Sequence, residues 1–159
     1  MGLDMYLWKS KRIDVYDFKK DEFMAKNIKV KVDVEFSDGE VKTEEYVLGN
    51  PKHDGYIYFP VAYWRKANAI HRWILEHTKQ KEDDCRKIYV SGEKILELIE
   101  DCKTVLADHS KAEKILPTQE GFFFGSNEYD EWYFSDLEKT IEMLKNTTND
   151  DEFIYQASW

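Results

Sequence analysis

The chain reads as an α+β protein: an antiparallel β-sheet, made of an N-terminal hairpin and short strands, packed against about three helices. Three observations predict this class. Ile28, Val30, Val32, Val34 and Phe36 alternate with Lys29, Lys31, Asp33 and Glu35, the period of two that gives a strand one apolar and one wet face. Ile95, Leu98, Ile99, Cys102, Val105 and Leu106 follow the spacing of a helix with a single apolar stripe. Strand signals come early and helix signals late, an order that favours α+β over a doubly wound parallel sheet. At 159 residues, one domain spanning 1–159 is expected, long enough to bury a core without a metal or disulfide.

Met5 to Trp8 reads as a first strand. Ile13 to Lys26 is charged and irregular, with Val15, Tyr16, Phe18 and Phe23 as anchors. After the alternating strand, Ser37-Asp38-Gly39-Glu40 supplies an Asp-Gly turn, and Val41 to Leu48 returns as the partner strand. Asn50-Pro51-Lys52-His53-Asp54-Gly55 is a loop by composition. Tyr56 to Phe59 reads as a short strand stopped by Pro60. A first helix is expected over Ala62 to His77, with Tyr63, Ala67, Ile70 and Ile74 on its core face. Ser91 is an expected N-cap for the second helix, with Glu93 at its positive end. Phe122 to Phe124 reads as a buried strand between Gly121 and Gly125, which take positive φ or admit a close approach. Ser126 or Asn127 is expected to cap a last helix from Glu128 to Asn146, using Tyr129, Tyr133, Leu137, Ile141 and Leu144. Phe153 to Tyr155 reads as a terminal strand.

Composition narrows the function classes. Twenty-three basic against 32 acidic residues leave a net charge of −9, which disfavours direct nucleic-acid binding through phosphate neutralisation. The same charge suits solubility or a basic partner surface. Two cysteines, Cys85 and Cys102, are too few for a disulfide scaffold. Glu82-Asp83-Asp84 beside Cys85 is expected to blunt its reactivity. Asp4 interrupts the opening residues and no run nears the ~20 apolar residues of a membrane helix. Gly2 is not followed by Ser or Thr at position 6, which is Tyr6. A cytoplasmic protein with no membrane association is expected.

Two segments carry the functional signal. Tyr63-Trp64-Arg65-Lys66-Ala67-Asn68-Ala69-Ile70-His71-Arg72-Trp73 and Gly121-Phe122-Phe123-Phe124-Gly125-Ser126-Asn127-Glu128-Tyr129-Asp130-Glu131-Trp132-Tyr133 mix large rings with charged and hydrogen-bonding groups. On a helical wheel Trp64, Asn68 and His71 fall near one line, with Arg65 and Arg72 beside it. Such a wall would stack Trp64 on a planar group, read its edge with Asn68 and His71, and neutralise an anion with arginine. Tyr129 and Asp130 would add polar contacts, Asp130 pairing with Arg65 or Arg72. The candidate ligand-binding residues are therefore Trp64, Arg65, Asn68, His71, Tyr129 and Asp130. The structural alternative is that Asn68 and His71 bond to neighbouring backbone and Trp64 covers the core rim.

Catalytic signals are weak. His53, His71, His77 and His109 form no zinc signature. Asp83, Asp84, Asp130 and Glu131 lack the spacing of a calcium loop, and no phosphate-binding glycine loop or nucleophile elbow occurs. No metal and no cofactor are expected.

Met1-Gly2-Leu3-Asp4-Met5-Tyr6-Leu7, the Tyr63 to Trp73 segment, Glu82-Asp83-Asp84-Cys85, the Leu116 to Ser126 segment and Tyr129-Asp130-Glu131 together resemble a family of small phage and prophage proteins of bacteria. The blocks span nearly the whole chain, and the stretch from about Arg12 to Phe59 lies outside them. The resemblance implies a phage accessory gene product at work in the cytoplasm of a bacterial host. It supplies no fold, reaction or catalytic residue. The function expected is host interaction or anti-defence by binding, without catalysis, of a nucleotide-like small molecule or a host defence protein. Homo-oligomerisation is left open. Two alternatives compete. One is a nucleotide- or small-molecule-processing enzyme with His71 as acid/base and Asp130 or Asp84 as its orienting partner, with or without a metal. The other is an acidic DNA-mimic module.

Overall fold

A computed structural model describes residues 2–14, 16–17, 19–20, 22–23, 28–36, 38–49, 54–80 and 82–159. The α+β class holds: an antiparallel four-stranded sheet is combined with helices and smaller two-stranded sheets. The chain divides into two compact units, Lys11–Ile57 and the pair of segments Met1–Ser10 and Tyr58–Trp159. The first of these nearly coincides with the stretch left outside the resemblance.

In the unit Lys11–Ile57, short strands at Tyr16–Asp17 (β2) and Glu22–Phe23 (β3) pair with each other. The expected hairpin is present as Ile28–Glu35 (β4) and Val41–Gly49 (β5), in a register that sets Val30 opposite Tyr46 and Val32 opposite Glu44. Its turn closes through Gly39 N–H to Phe36 O at 2.9 Å, while Asp38 Oδ1 accepts from Glu40 N–H at 3.0 Å. Cross-strand pairs such as Thr43–Asp33 and Lys29–Glu45 support the register. The apolar face is not buried as the alternation implies, since Val32 and Tyr46 are exposed. A two-stranded hairpin is by itself too small to bury an apolar face. Val15, Phe18, Ser37 and residues 50–53, His53 included, lie outside the described residues, as do the side chains of Tyr16 and Phe23.

The other unit holds most of a sheet of order β6-β1-β8-β7, with β1 at Asp4–Ile13, β6 at Gly55–Arg65, β7 at Ile88–Ser91 and β8 at Glu152–Ser158. Strand β8 is central, setting Leu7 and Ile88 opposite Tyr155 and Val90 opposite Phe153. One face of this sheet carries Met5, Leu7, Val90, Phe153 and Tyr155 into the core. Helices α1 (Asn68–His77), α2 (Gly92–Ala107), α3 (Ala112–Ile115) and α4 (Glu131–Leu144) complete the unit, and α2 packs on α4. Helix α2 forms as its stripe dictates, burying Ile95, Leu98, Ile99, Cys102 and Val105, with Ser91 Oγ accepting from Lys94 N–H at 3.3 Å.

Four expectations are corrected. Strand β6 runs through Pro60 as far as Arg65. It lies at the sheet edge, where a missing N–H breaks no necessary ladder bond. The first helix therefore starts at Asn68, not Ala62. Lys66, at φ 61°, turns the chain between strand and helix, and its N–H bonds to Leu3 O at 2.7 Å. Phe122 to Phe124 form a turn closed by Phe124 N–H to Gly121 O at 3.0 Å, with Phe124 buried and Phe122 96% exposed. Gly125 takes positive φ, at 91°, whereas Gly121 admits the Phe124 ring, which a Cβ would meet at 2.6 Å. The last helix starts at Glu131 because Asp130 is its cap, its Oδ1 accepting from Tyr133 N–H at 3.0 Å. Ser126 instead closes a local turn, its Oγ accepting from Glu128 N–H at 3.1 Å.

Candidate functional site

The unit that carries the helices holds a cavity of about 420 Å³, inside the range of roughly 300–1,000 Å³ usual for small-molecule sites. The turn from β6 into α1 forms one wall, the Thr118 and Gly125–Ser126 stretch a second, and the first turns of α4 a third. Each wall follows from local sequence. Lys66 in the left-handed region ends β6 and aims Arg65 and Lys66 at the cavity. The Asp130 cap fixes the start of α4. Tyr133, Leu137, Thr140 and Leu144 are buried, so the stripe Trp132, Asp136, Lys139, at spacings of four and three, is left to line the opening.

Of the six residues singled out in the sequence, Arg65, Asn68 and Asp130 line this cavity and Trp64, His71 and Tyr129 do not. Period-two alternation on β6, rather than a helical wheel, decides the fate of Trp64. It points inward, 3% exposed, and its Nε1–H donates to Thr140 Oγ at 2.8 Å, which in turn donates to Asp136 O at 2.7 Å. Asn68 is buried as a brace: Nδ2 donates to Phe124 O at 3.1 Å and Ser126 O at 2.8 Å, and Oδ1 accepts from Gln119 N–H at 3.0 Å. Tyr129 sets its ring edge-on to Tyr133, centroids 5.0 Å apart. The expected pairing of Asp130 with an arginine does not form. Arg72 bonds to Glu76 and to Thr118 O, and Arg65 has no ion-pair partner among the described residues.

His71 is fully buried. Its Nδ1 lies 2.6 Å from the Tyr155 hydroxyl and its Nε2 lies 3.0 Å from Asp83 Oδ2. Burial pushes the Tyr155 phenol well above its ordinary value, with Asp83 adding to the push. The tautomer protonated at Nε2 satisfies both contacts, the Tyr155 hydroxyl donating to Nδ1 and Nε2–H to Asp83 Oδ2. The orienting carboxylate is thus Asp83, not the Asp130 or Asp84 anticipated from sequence. The gap beside the ring, which Cys85 also borders, has no space that admits a water molecule. Among the described residues no group of three His, Cys, Asp or Glu side chains is placed to hold a metal ion, and no helix is long and apolar enough to cross a membrane.

The cavity's polar groups divide into committed and available. The Thr118 hydroxyl donates to Asn127 O and the Tyr133 hydroxyl to Leu116 O. Asn68, Ser126 and Asp130 are engaged as described. Available to a guest are Arg65, Lys66, the Glu128 carboxylate, the Trp132 indole and Asp136. Among the described residues Asp136 has only the longer 3.7 Å pair to Lys139, which follows it on the same helix. Trp132 is 77% exposed. Burial raises the Asp136 carboxyl above the ordinary carboxylate range, against the opposing pull of Lys139 and with Asp130 adding to the rise. Sequence reasoning passed over Lys66, Trp132, Asp136 and Lys139. The last three were legible as the face of α4 that its apolar stripe leaves over. No protein-family model, curated protein or solved structure matches the chain.

Proposed function

We propose that the protein works by binding, without catalysis, an anionic nucleotide-like small molecule in the cavity between the β6–α1 turn and α4. One observation carries the reading: Arg65 and Lys66, two cations without an ion-pair partner among the described residues, share a cavity of about 420 Å³ with the exposed ring of Trp132. An anion gains charge-assisted bonds from the first pair, and a planar heterocycle gains a stacking face from the second. In the phage setting that the resemblance implies, such a protein would withhold a nucleotide signal from a host defence system.

The test is calorimetric titration of the full chain with a panel of nucleoside monophosphates, followed by analysis of the recovered nucleotide. Trp132→Ala and the double substitution Arg65→Ala, Lys66→Ala are expected to weaken binding about tenfold or more while leaving the melting temperature near that of the wild type, since these side chains are not core. The nucleotide is recovered unchanged. Absence of binding at millimolar nucleotide, or binding indifferent to both variants, overturns the proposal. Turnover that survives purification and vanishes in a His71→Ala variant with the wild-type circular dichroism spectrum establishes the enzyme reading in its place.

A further inference from the structure

The available groups of the cavity are of both signs, and this narrows the ligand. Arg65 and Lys66 meet an anion, yet Asp136, in the same cavity, is a carboxylate that only accepts hydrogen bonds. Its side chain is 25% exposed, and among the described residues it meets one cation, Lys139, at 3.7 Å. Trp132 precedes it by four residues on α4, so the two are neighbours on one helix face. A planar base stacked on Trp132 would lie beside Asp136.

The edges of the bases differ in a way that a carboxylate reads. Adenine and cytosine each place an acceptor nitrogen beside their amino donor, and that acceptor repels a carboxylate. Uracil and hypoxanthine offer one N–H. Guanine places two adjacent N–H donors, at N1 and the 2-amino group, on one edge. That pair matches the two oxygens of a carboxylate in parallel, the same fork geometry that makes bidentate carboxylate pairs strong.

Building on the proposed function, we infer that the cavity selects a guanine nucleotide, with the base on Trp132, its paired N–H groups on Asp136 and its phosphate against Arg65 and Lys66. Two cations match the charge of a monophosphate. Glu128 and Asp130, which also line the cavity, disfavour the longer phosphate chains. Burial disfavours the ionised form of Asp136 in the empty protein, and the two donors of guanine supply what solvent no longer does.

Titration of the full chain with guanosine, inosine and adenosine monophosphates and with guanosine tests this. Guanosine monophosphate should bind best, the inosine analogue about tenfold weaker for want of the 2-amino group, and the adenosine analogue weaker still. Guanosine should lose the contribution of Arg65 and Lys66. Asp136→Asn, whose amide both donates and accepts, should bring the guanine and adenine nucleotides within about threefold of each other. Its melting temperature without ligand should equal or exceed that of the wild type, which shows the variant folded. Adenosine monophosphate binding as tightly as guanosine monophosphate, or an Asp136→Asn protein that keeps its preference, overturns guanine selection and leaves the broader nucleotide reading standing. Failure of all four compounds to bind removes both.

Discussion

Replacing Asn68 tests the architecture beneath the cavity. Its amide spans three backbone groups, donating to Phe124 O and Ser126 O and accepting from Gln119 N–H. These bonds tie the start of α1 to the loop that forms a cavity wall. Asn68→Ala strands two carbonyl oxygens and one N–H, each costing about 1–3 kcal/mol when left unmet in a buried site. Water entering the vacated space recovers part of this, so a net loss of about 2–4 kcal/mol follows. In a chain of this size that lowers the melting temperature by about 5–15 °C. Asn68→Asp is the sharper perturbation. The shape is unchanged, but the oxygen that replaces Nδ2 faces two carbonyl oxygens. Thermal and urea unfolding of both variants at neutral pH is the assay, and the aspartate variant should fall at least as far as the alanine one. An aspartate variant within about 2 °C of the wild type would refute the brace.

Three further outcomes follow from buried groups. Burial holds the Tyr155 and Tyr133 phenols above their ordinary range and pushes the Cys102 thiol up to about 12. These raised groups favour the folded state below their unfolded pKa values, near 9 for the thiol and 10 for the phenols, and that contribution is lost as pH climbs through the folded values. Stability should therefore decline above about pH 9, with the phenolate absorbance of these two tyrosines appearing only on unfolding. Tyr155→Phe should flatten the decline at the expense of stability at neutral pH, by leaving His71 Nδ1 unpartnered. Gly92→Ala should fail to yield folded protein by circular dichroism, because its Cβ would lie 2.0 Å from Thr148 O and 2.9 Å from Asp151 O; a well-folded variant would show that this approach of the chain to α2 is wrongly drawn.

Much of the fold was legible where one period ruled. The stripe of α2, the β4–β5 alternation with its Asp-Gly turn, and the terminal strand were all readable, because each pattern fits only one element. The stretch from Tyr56 to His77 was not. Tyr63, Trp64, Ala67 and Ile70 satisfy a helical wheel on paper, and the alternation that places Ala62 and Trp64 inward satisfies a strand equally well. The left-handed turn at Lys66 decides between them, and a lysine carries no mark of positive φ. Strand β7 is only four residues long, too short for its alternation to stand out beside the N-cap Ser91. At the site, Arg65, Asn68 and Asp130 from the two polar-aromatic segments share one cavity, while Trp64, His71 and Tyr129 do not line it. Which of their side chains face it depended on element boundaries. Trp64 and His71 turned inward to Thr140, Tyr155 and Asp83, while Trp132, four residues from Asp136, took the place at the opening.

The most direct measurement is the indole N–H signals of the five tryptophans, followed by nitrogen–proton NMR as guanosine monophosphate is added. The Trp132 signal should shift and saturate, in step with backbone amides at Lys66, Ser126 and Asp136, while the indole of Trp64, locked on Thr140, holds still. Saturating shifts confined to residues away from these three walls, or no shift at millimolar nucleotide, would contradict the cavity as the seat of function.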